Sequence, residues 1–155
     1  MTLITVGKTD VKWVREGLDL YKSRLTHYIQ FNVVEIPELK NVSSLTREQI
    51  KAREGELLLA QIRPGDDVIL MDEHGKQFRS VEFALMLQNK MACSGRDIVF
   101  VIGGAYGFSR EVYSRADSKI SLSEMTFSHQ MVRVIFTEQL YRAFTIMRGE
   151  PYHHE

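Results

Sequence analysis

Three short stretches combine glycine, small polar and apolar residues in a way that suits ligand contact: Met71-Asp72, Gly103-Gly104 through Gly107, and Leu122 to Phe127. The glycine stretch follows the apolar run Val99 to Ile102, the whole reading VFVIGGAYGF. Such a run, closed by glycines, predicts a strand buried on both faces that ends in a tight loop. In open α/β sheets ligands bind at the carboxyl ends of such strands, and glycine lets backbone approach a ligand because no Cβ intervenes. The stretch LSEMTF, Leu122 to Phe127, sets Met125 and Phe127 beside Ser123 and Thr126 in a loop. Apolar loop residues stay exposed unless something covers them. An adenine ring, apolar on its faces and hydrogen-bonding at its edges, would cover them while loop amides and carbonyls read its edges. Packing of Met125 and Phe127 into the core is an equal alternative.

Other chemistries lack their residues. No P-loop ends in Gly-Lys-Ser/Thr, and Gly7-Lys8-Thr9 after the first apolar segment is not a dinucleotide-binding glycine fingerprint. No Gly-x-Ser-x-Gly elbow occurs. The five histidines, at 27, 74, 129, 153 and 154, do not have zinc-ligand spacing, so no metal site is expected. Cys93, the one cysteine, excludes an internal disulfide and reads as a small buried residue.

The elements that must position these stretches alternate. Leu3–Val6 predicts a strand closed by Gly7. Trp13, Gly17, Tyr21, Leu25 and Tyr28 recur at helical spacing, with Thr9 or Asp10 as cap. This aromatic stripe predicts core packing, with a subunit contact as the other reading. Phe31–Ile36 predicts a strand stopped by Pro37, and Glu38–Leu45 a surface loop. Thr46 and Gln49 have capping-box spacing at the head of a second helix. Gly55 inside that helix marks close packing or a bend, since glycine costs a helix about 1 kcal/mol relative to alanine. After the turn at Arg63–Asp66, Val68–Met71 predicts a strand and Glu73–Lys76 a turn. A third helix runs from its cap Ser80 to a close at Ser94–Asp97. The central strand and glycine loop follow, then a short helix from Ser109, a strand at Ile120–Leu122 and a loop at Ser123–Ser128. Val132, Ile135, Phe136, Leu140, Ala143, Phe144 and Met147 mark the longest helix, stopped by Gly149 and Pro151. Strands alternating with helices predict one α/β domain over residues 1–155, with a mostly parallel sheet covered by helices on both faces.

Composition agrees. The 155 residues suit a single core. Lys+Arg and Asp+Glu are both 20, so bulk attraction to nucleic acid across the whole surface is excluded while a local basic patch is not. The last 27 residues hold such a patch, with three Arg and three His against three Glu. No apolar run reaches membrane-span length, and the N-terminus lacks a signal-peptide layout, so no membrane is expected and the location is expected to be cytoplasmic.

GGAYGFS after a buried strand, and SLSEMTFSHQMVRVIFTEQLYRAFTIMRGEPYH toward the end, closely resemble the RlmH family of SPOUT-class methyltransferases. The likeness extends over the chain, including VGK at the start and the segment around Glu54-Gly55. It implies a SPOUT-type α/β knot, a deep trefoil near the C-terminus, which is one of the few exceptions to the rule against knots. It implies S-adenosylmethionine as cofactor, held by Met71, Gly103, Gly104, Leu122, Ser123, Glu124, Met125, Thr126 and Phe127. Met71 stands where members of the family carry Leu, which leaves an apolar contact. It further implies a homodimer that methylates N3 of a pseudouridine in helix 69 of 23S ribosomal RNA, on the assembled ribosome.

N3 of pseudouridine carries a proton and is a poor nucleophile until a base removes it or nearby groups stabilise the anion. His129, at the start of the last helix, Arg133 one turn on, and Tyr152 and His153 in the tail form the expected substrate-side group. Structural readings stand beside these: His129 as a helix cap, Arg133 in a solvated ion pair, the tail as a frayed terminus. Two alternatives to the function share the same loops: a SPOUT methyltransferase acting on transfer RNA, and a non-catalytic ribosome-binding protein.

Overall fold

The computed structural model describes residues 1–93 and 95–154; Ser94, in the expected close of the third helix, and Glu155 lie outside them. Five strands, β1 (Thr2–Val6), β2 (Asn32–Ile36), β3 (Asp67–Gln77), β4 (Ile98–Ile102) and β5 (Ser118–Ser121), form one sheet in the order β2-β1-β4-β3-β5. Every neighbouring pair is parallel. The helices are α1 (Lys12–Leu25), α2 (Arg47–Leu59), α3 (Ser80–Cys93), α4 (Arg110–Arg115) and α5 (Met131–Met147), with a 3₁₀ turn at Val42–Ser44 in the expected surface loop.

Alternation along each strand sorts side chains into two cores. Leu3, Ile69, Phe100, Ile102 and Ile120 face Leu25 of α1, Phe83 and Leu87 of α3, and Phe136, Leu140 and Phe144 of α5. Ile4, Val6, Val68, Leu70, Val99 and Val101 face Leu58 of α2 and Val112 of α4. Burial of β4 on both faces explains its unbroken apolar run. Connections toward the β2 edge use the α1/α3 face and those toward the β5 edge the α2/α4 face. Opposite direction on the opposite face keeps all four crossovers of one hand.

Local signals account for most boundaries. Thr46 and Gln49 form the capping box, Thr46 Oγ1 accepting from Gln49 N–H and the Gln49 side chain accepting from Thr46 N–H. Ser109 caps α4 by accepting from Val112 N–H. Gly55 is a close approach of α2 to α4: a Cβ there would lie 2.5 Å from Ser109 Oγ.

Other expectations are corrected. Neither Thr9 nor Asp10 caps α1; the N-cap is Val11, without a side-chain bond, because Thr9 is buried and engaged elsewhere. Tyr28 lies beyond the end of α1, in a turn. Trp13 is 56% exposed, so the aromatic stripe is not wholly core. Cys93 is exposed. Glu73–Lys76 is not a free turn: β3 continues through it with a shift of register, and Ile120 of β5 is partner to both Met71 and Lys76. Gly75 rests on the Ile120 backbone so tightly that a Cβ would fall 2.4–2.7 Å from three of its main-chain atoms. Gly75→Ala is therefore expected to cost about 1–3 kcal/mol, as overpacking does, read as a lower denaturant midpoint with unchanged m-value.

Candidate functional site

The carboxyl ends of β3, β4 and β5 open into a cleft of about 780 Å³. Its walls include Met71, Gly103, Gly104, Leu122, Ser123, Met125, Thr126 and Phe127, so eight of the nine expected cofactor residues, from three separate strand ends, meet at one place. Glu124 is the exception; it is exposed and forms no part of the wall.

Backbone geometry shapes the floor. Gly104 to Gly107 is a tight turn, closed by Gly107 N–H to Gly104 O at 3.1 Å, with Gly107 at φ +80°, which favours glycine. Gly103 lies against Phe108, whose ring would be 3.0 Å from an added Cβ. The third loop is braced internally: Ser121 Oγ donates to Ser123 O at 2.9 Å, and Met125 N–H donates to Ser123 Oγ at 2.9 Å. Met125 is 77% exposed and Phe127 half-buried, and neither belongs to either core cluster. Core packing of those two side chains is thereby excluded, and apolar surface is left facing the cleft. A cleft of this volume, with walls that mix apolar and polar groups and backbone donors and acceptors, fits an adenosyl group.

The four expected substrate-side residues do not converge within one chain. His129 lines the cleft, half-buried, and its ring has no hydrogen-bond partner among the described residues. Arg133 is corrected from substrate contact to scaffold: it is 0% exposed. Its guanidinium donates to Val6 O at 2.6 Å, Gly7 O at 3.1 Å, Thr9 Oγ1 at 2.8 Å and His129 O at 2.9 Å. Burial pulls its pKa down, and Glu35, 3.8 Å away, opposes that shift. Tyr152 and His153 follow α5 in sequence and fold back beside its middle, at Glu138, Tyr141 and Arg142, about two to three turns from His129. There Tyr152 O–H donates to Glu138 at 3.0 Å, Arg142 lies over the Tyr152 ring at 4.8 Å, and His153 Nδ1 is 3.4 Å from Arg142. Burial, with the bonds to Tyr21 and Glu138, raises the Tyr152 phenol well above its usual range.

Further groups at the cleft had no signal in the spacing. Arg47 and Lys51 reach it from α2, and Lys51 pairs with Glu48 at 2.5 Å. Tyr113 O–H donates to Asp72 at 2.5 Å; burial and that bond push its pKa up to about 12. Behind the glycine turn lies Glu54, buried, with Oε2 lacking a hydrogen-bond partner among the described residues and 2.5 Å from where a Gly104 Cβ would stand. Burial, then Glu38, raises its pKa. Among the described residues no three His, Cys, Asp or Glu gather as a metal site, and no helix is long and apolar enough to cross a membrane.

A family model described as "Predicted SPOUT methyltransferase" matches residues 1–153. A protein of Parabacteroides distasonis named ribosomal RNA large subunit methyltransferase H is 54% identical over 153 residues, 99% of this chain and 98% of its own. One of the same name from Christiangramia forsetii is 55% identical over 152 residues, covering 98% and 97%. Among solved structures, the SpoU methyltransferase AviRb of Streptomyces viridochromogenes, in complex with AdoMet, aligns with a TM-score of 0.46 at 14% identity. That alignment covers 97% of this chain, which spans 58% of AviRb.

A carboxyl with a raised pKa holds its proton more tightly folded than unfolded. Its contribution to stability is therefore present in acid and lost as pH rises through the folded pKa. Glu54→Gln, neutral at every pH, is expected to remove that loss. Melting temperatures taken between about pH 4 and pH 8, across and above the ordinary carboxylate range, should diverge in favour of the variant as pH rises; parallel curves would contradict the assignment.

Proposed function

The chain belongs to the SPOUT methyltransferase family, and from that premise we propose that it transfers a methyl group from S-adenosylmethionine to N3 of a pseudouridine in helix 69 of 23S ribosomal RNA. It acts in the cytoplasm, on the assembled ribosome and as a homodimer. The observation that carries this reading is the meeting of three strand-end loops around one cleft, with a histidine in its wall whose ring has no hydrogen-bond partner among the described residues.

When bound, the cofactor supplies an electrophilic methyl group on a sulfonium. The protein does the rest. Met71, Leu122, Met125 and Phe127 offer apolar surface to the adenine, and the main chain of Gly103, Gly104 and the loop of Ser123 to Thr126 reads its edges. The side chain of Glu124 points away from the wall, so its part is confined to the main chain of that loop. An unpartnered ring nitrogen of His129 takes the N3 proton, which turns a weak nucleophile into a competent one. Arg133 is a positioning residue: it ties the carbonyl of His129 to the end of β1 and so fixes where the imidazole stands.

Tyr152 and His153 enter through the second protomer. Trp13 and Leu20 leave an apolar strip exposed on α1, which packs beside α5 through Gly17 and Val134. A two-fold interface there, with the paired α5 helices antiparallel, carries each tail toward the partner's cleft. Tyr152 then offers a ring face for stacking a base and His153 a donor for the developing anion.

Labelled methyl from S-adenosylmethionine should enter ribosomes purified from cells lacking this protein, and not bare transfer RNA, with mass spectrometry placing it on helix 69. Gly103→Trp, whose Cβ would meet the Phe108 ring, should displace the glycine loop and abolish both cofactor binding, read by calorimetry, and incorporation. Absence of cofactor binding by the unaltered protein would favour the non-catalytic alternative. His129→Ala should bind cofactor normally and lose on the order of 10²-fold in kcat, the usual worth of a general base; a full rate would remove His129 from the mechanism.

A further inference from the structure

Tyr106 is exposed by construction. It occupies the tip of the Gly104–Gly107 turn, whose closing hydrogen bond and left-handed Gly107 hold it out from the sheet. The residue is 46% exposed and lines the mouth of the cleft. Its ring interaction among the described residues is with Arg47, whose guanidinium carbon lies 5.5 Å from the ring centroid. Arg47 is itself exposed and has no carboxylate partner among the described residues, while its neighbour Lys51 is paired with Glu48. The cleft thus joins groups of different character. Leu122, Ser123 and Met125 to His129 supply the third loop and the proton acceptor; Arg47 and Tyr106 line the same cleft with a guanidinium and an exposed ring.

An aromatic face beside an unpaired guanidinium matches the two halves of a nucleotide. The ring stacks a base, and the planar donors of arginine take a phosphate. Extraction of a base from a folded RNA costs a few kcal/mol of lost stacking, and a ring at the mouth of the cleft restores part of that stacking to the nucleotide left behind. On the reading that this cleft methylates an RNA base, we infer that the Arg47–Tyr106 pair is a subsite for the nucleotide adjoining the methylated one, its base stacked on Tyr106 and its phosphate held by Arg47.

The test is steady-state methylation of ribosomes from cells lacking this protein, with labelled S-adenosylmethionine, alongside calorimetry of cofactor binding. Tyr106→Ala should raise KM for ribosomes roughly tenfold, the scale of one lost base–aromatic stack, with kcat changed far less and cofactor affinity unaltered. Tyr106→Phe, which keeps the ring, should restore KM. Arg47→Ala should also raise KM and flatten its dependence on salt by about one counterion. Unchanged KM in Tyr106→Ala, with the unaltered protein active, overturns this inference alone. A fall in cofactor affinity that accounts for the whole effect also overturns it, by assigning the ring to the cofactor wall. Failure of the unaltered protein to methylate ribosomes overturns the methyltransferase reading and this subsite with it.

Discussion

A buried guanidinium holds the two ends of this chain together. Arg133 comes from α5, and three of its acceptors lie at the carboxyl end of β1 and just beyond it. A charge taken out of water is tolerable only when its donors are used, and here main-chain carbonyls, a threonine hydroxyl and the nearby Glu35 use them. Those carbonyls are strand-end groups with no further strand to accept them, so donor and acceptors satisfy each other. The bond to His129 O makes the same guanidinium the reference point for the cleft wall. Removal of one partner from a buried ion pair typically costs about 3–5 kcal/mol, which puts Arg133 on a par with the largest apolar side chains of the core.

The sheet supplies the rest of the precision. Because β3, β4 and β5 are parallel, their carboxyl ends reach the same edge together; β3 and β4 are anchored on both faces, and the edge strand β5 on one through Ile120. The glycine turn then needs little of its own: Phe108 and the Glu54 carboxyl back it from behind. Burial raises the pKa of Glu54, whose Oε2 has no hydrogen-bond donor among the described residues. His129 stands between the third loop and α5, and the Arg133 guanidinium ties its carbonyl to the end of β1.

Much of this was legible in the residues. The apolar run of β4, the capping box of α2, the glycine at the α2–α4 contact and the three ligand loops all follow from local rules, because each depends on neighbours in sequence. The readings that failed depend on distant partners. Thr9 has the right type for a helix cap, yet Glu35 and Arg133 claim it. Arg133 has a charge that suggests solvent, and only the carbonyls of β1, over a hundred residues away, make burial possible. Trp13 follows the helical period of a core stripe but is 56% exposed, on a side of α1 that the described residues cover only in part. Tyr152 and His153 share the chemistry of His129, but the tail folds back only to Glu138, Tyr141 and Arg142 in the middle of α5 and does not line the cleft. Tyr106 lay inside the motif itself, but its pairing with Arg47 needed α2 to be placed beside the turn.

The contact between Arg133 and Val6 joins residues 127 positions apart. During synthesis β1 leaves the ribosomal tunnel early and cannot pair with β4 until nearly a hundred further residues have emerged. Its exposed carboxyl end waits longer still, for the helix that carries the guanidinium. Closure of loops this long makes assembly slow relative to helix formation, and the nascent chain meanwhile presents an unsealed strand edge of the kind that recruits chaperones.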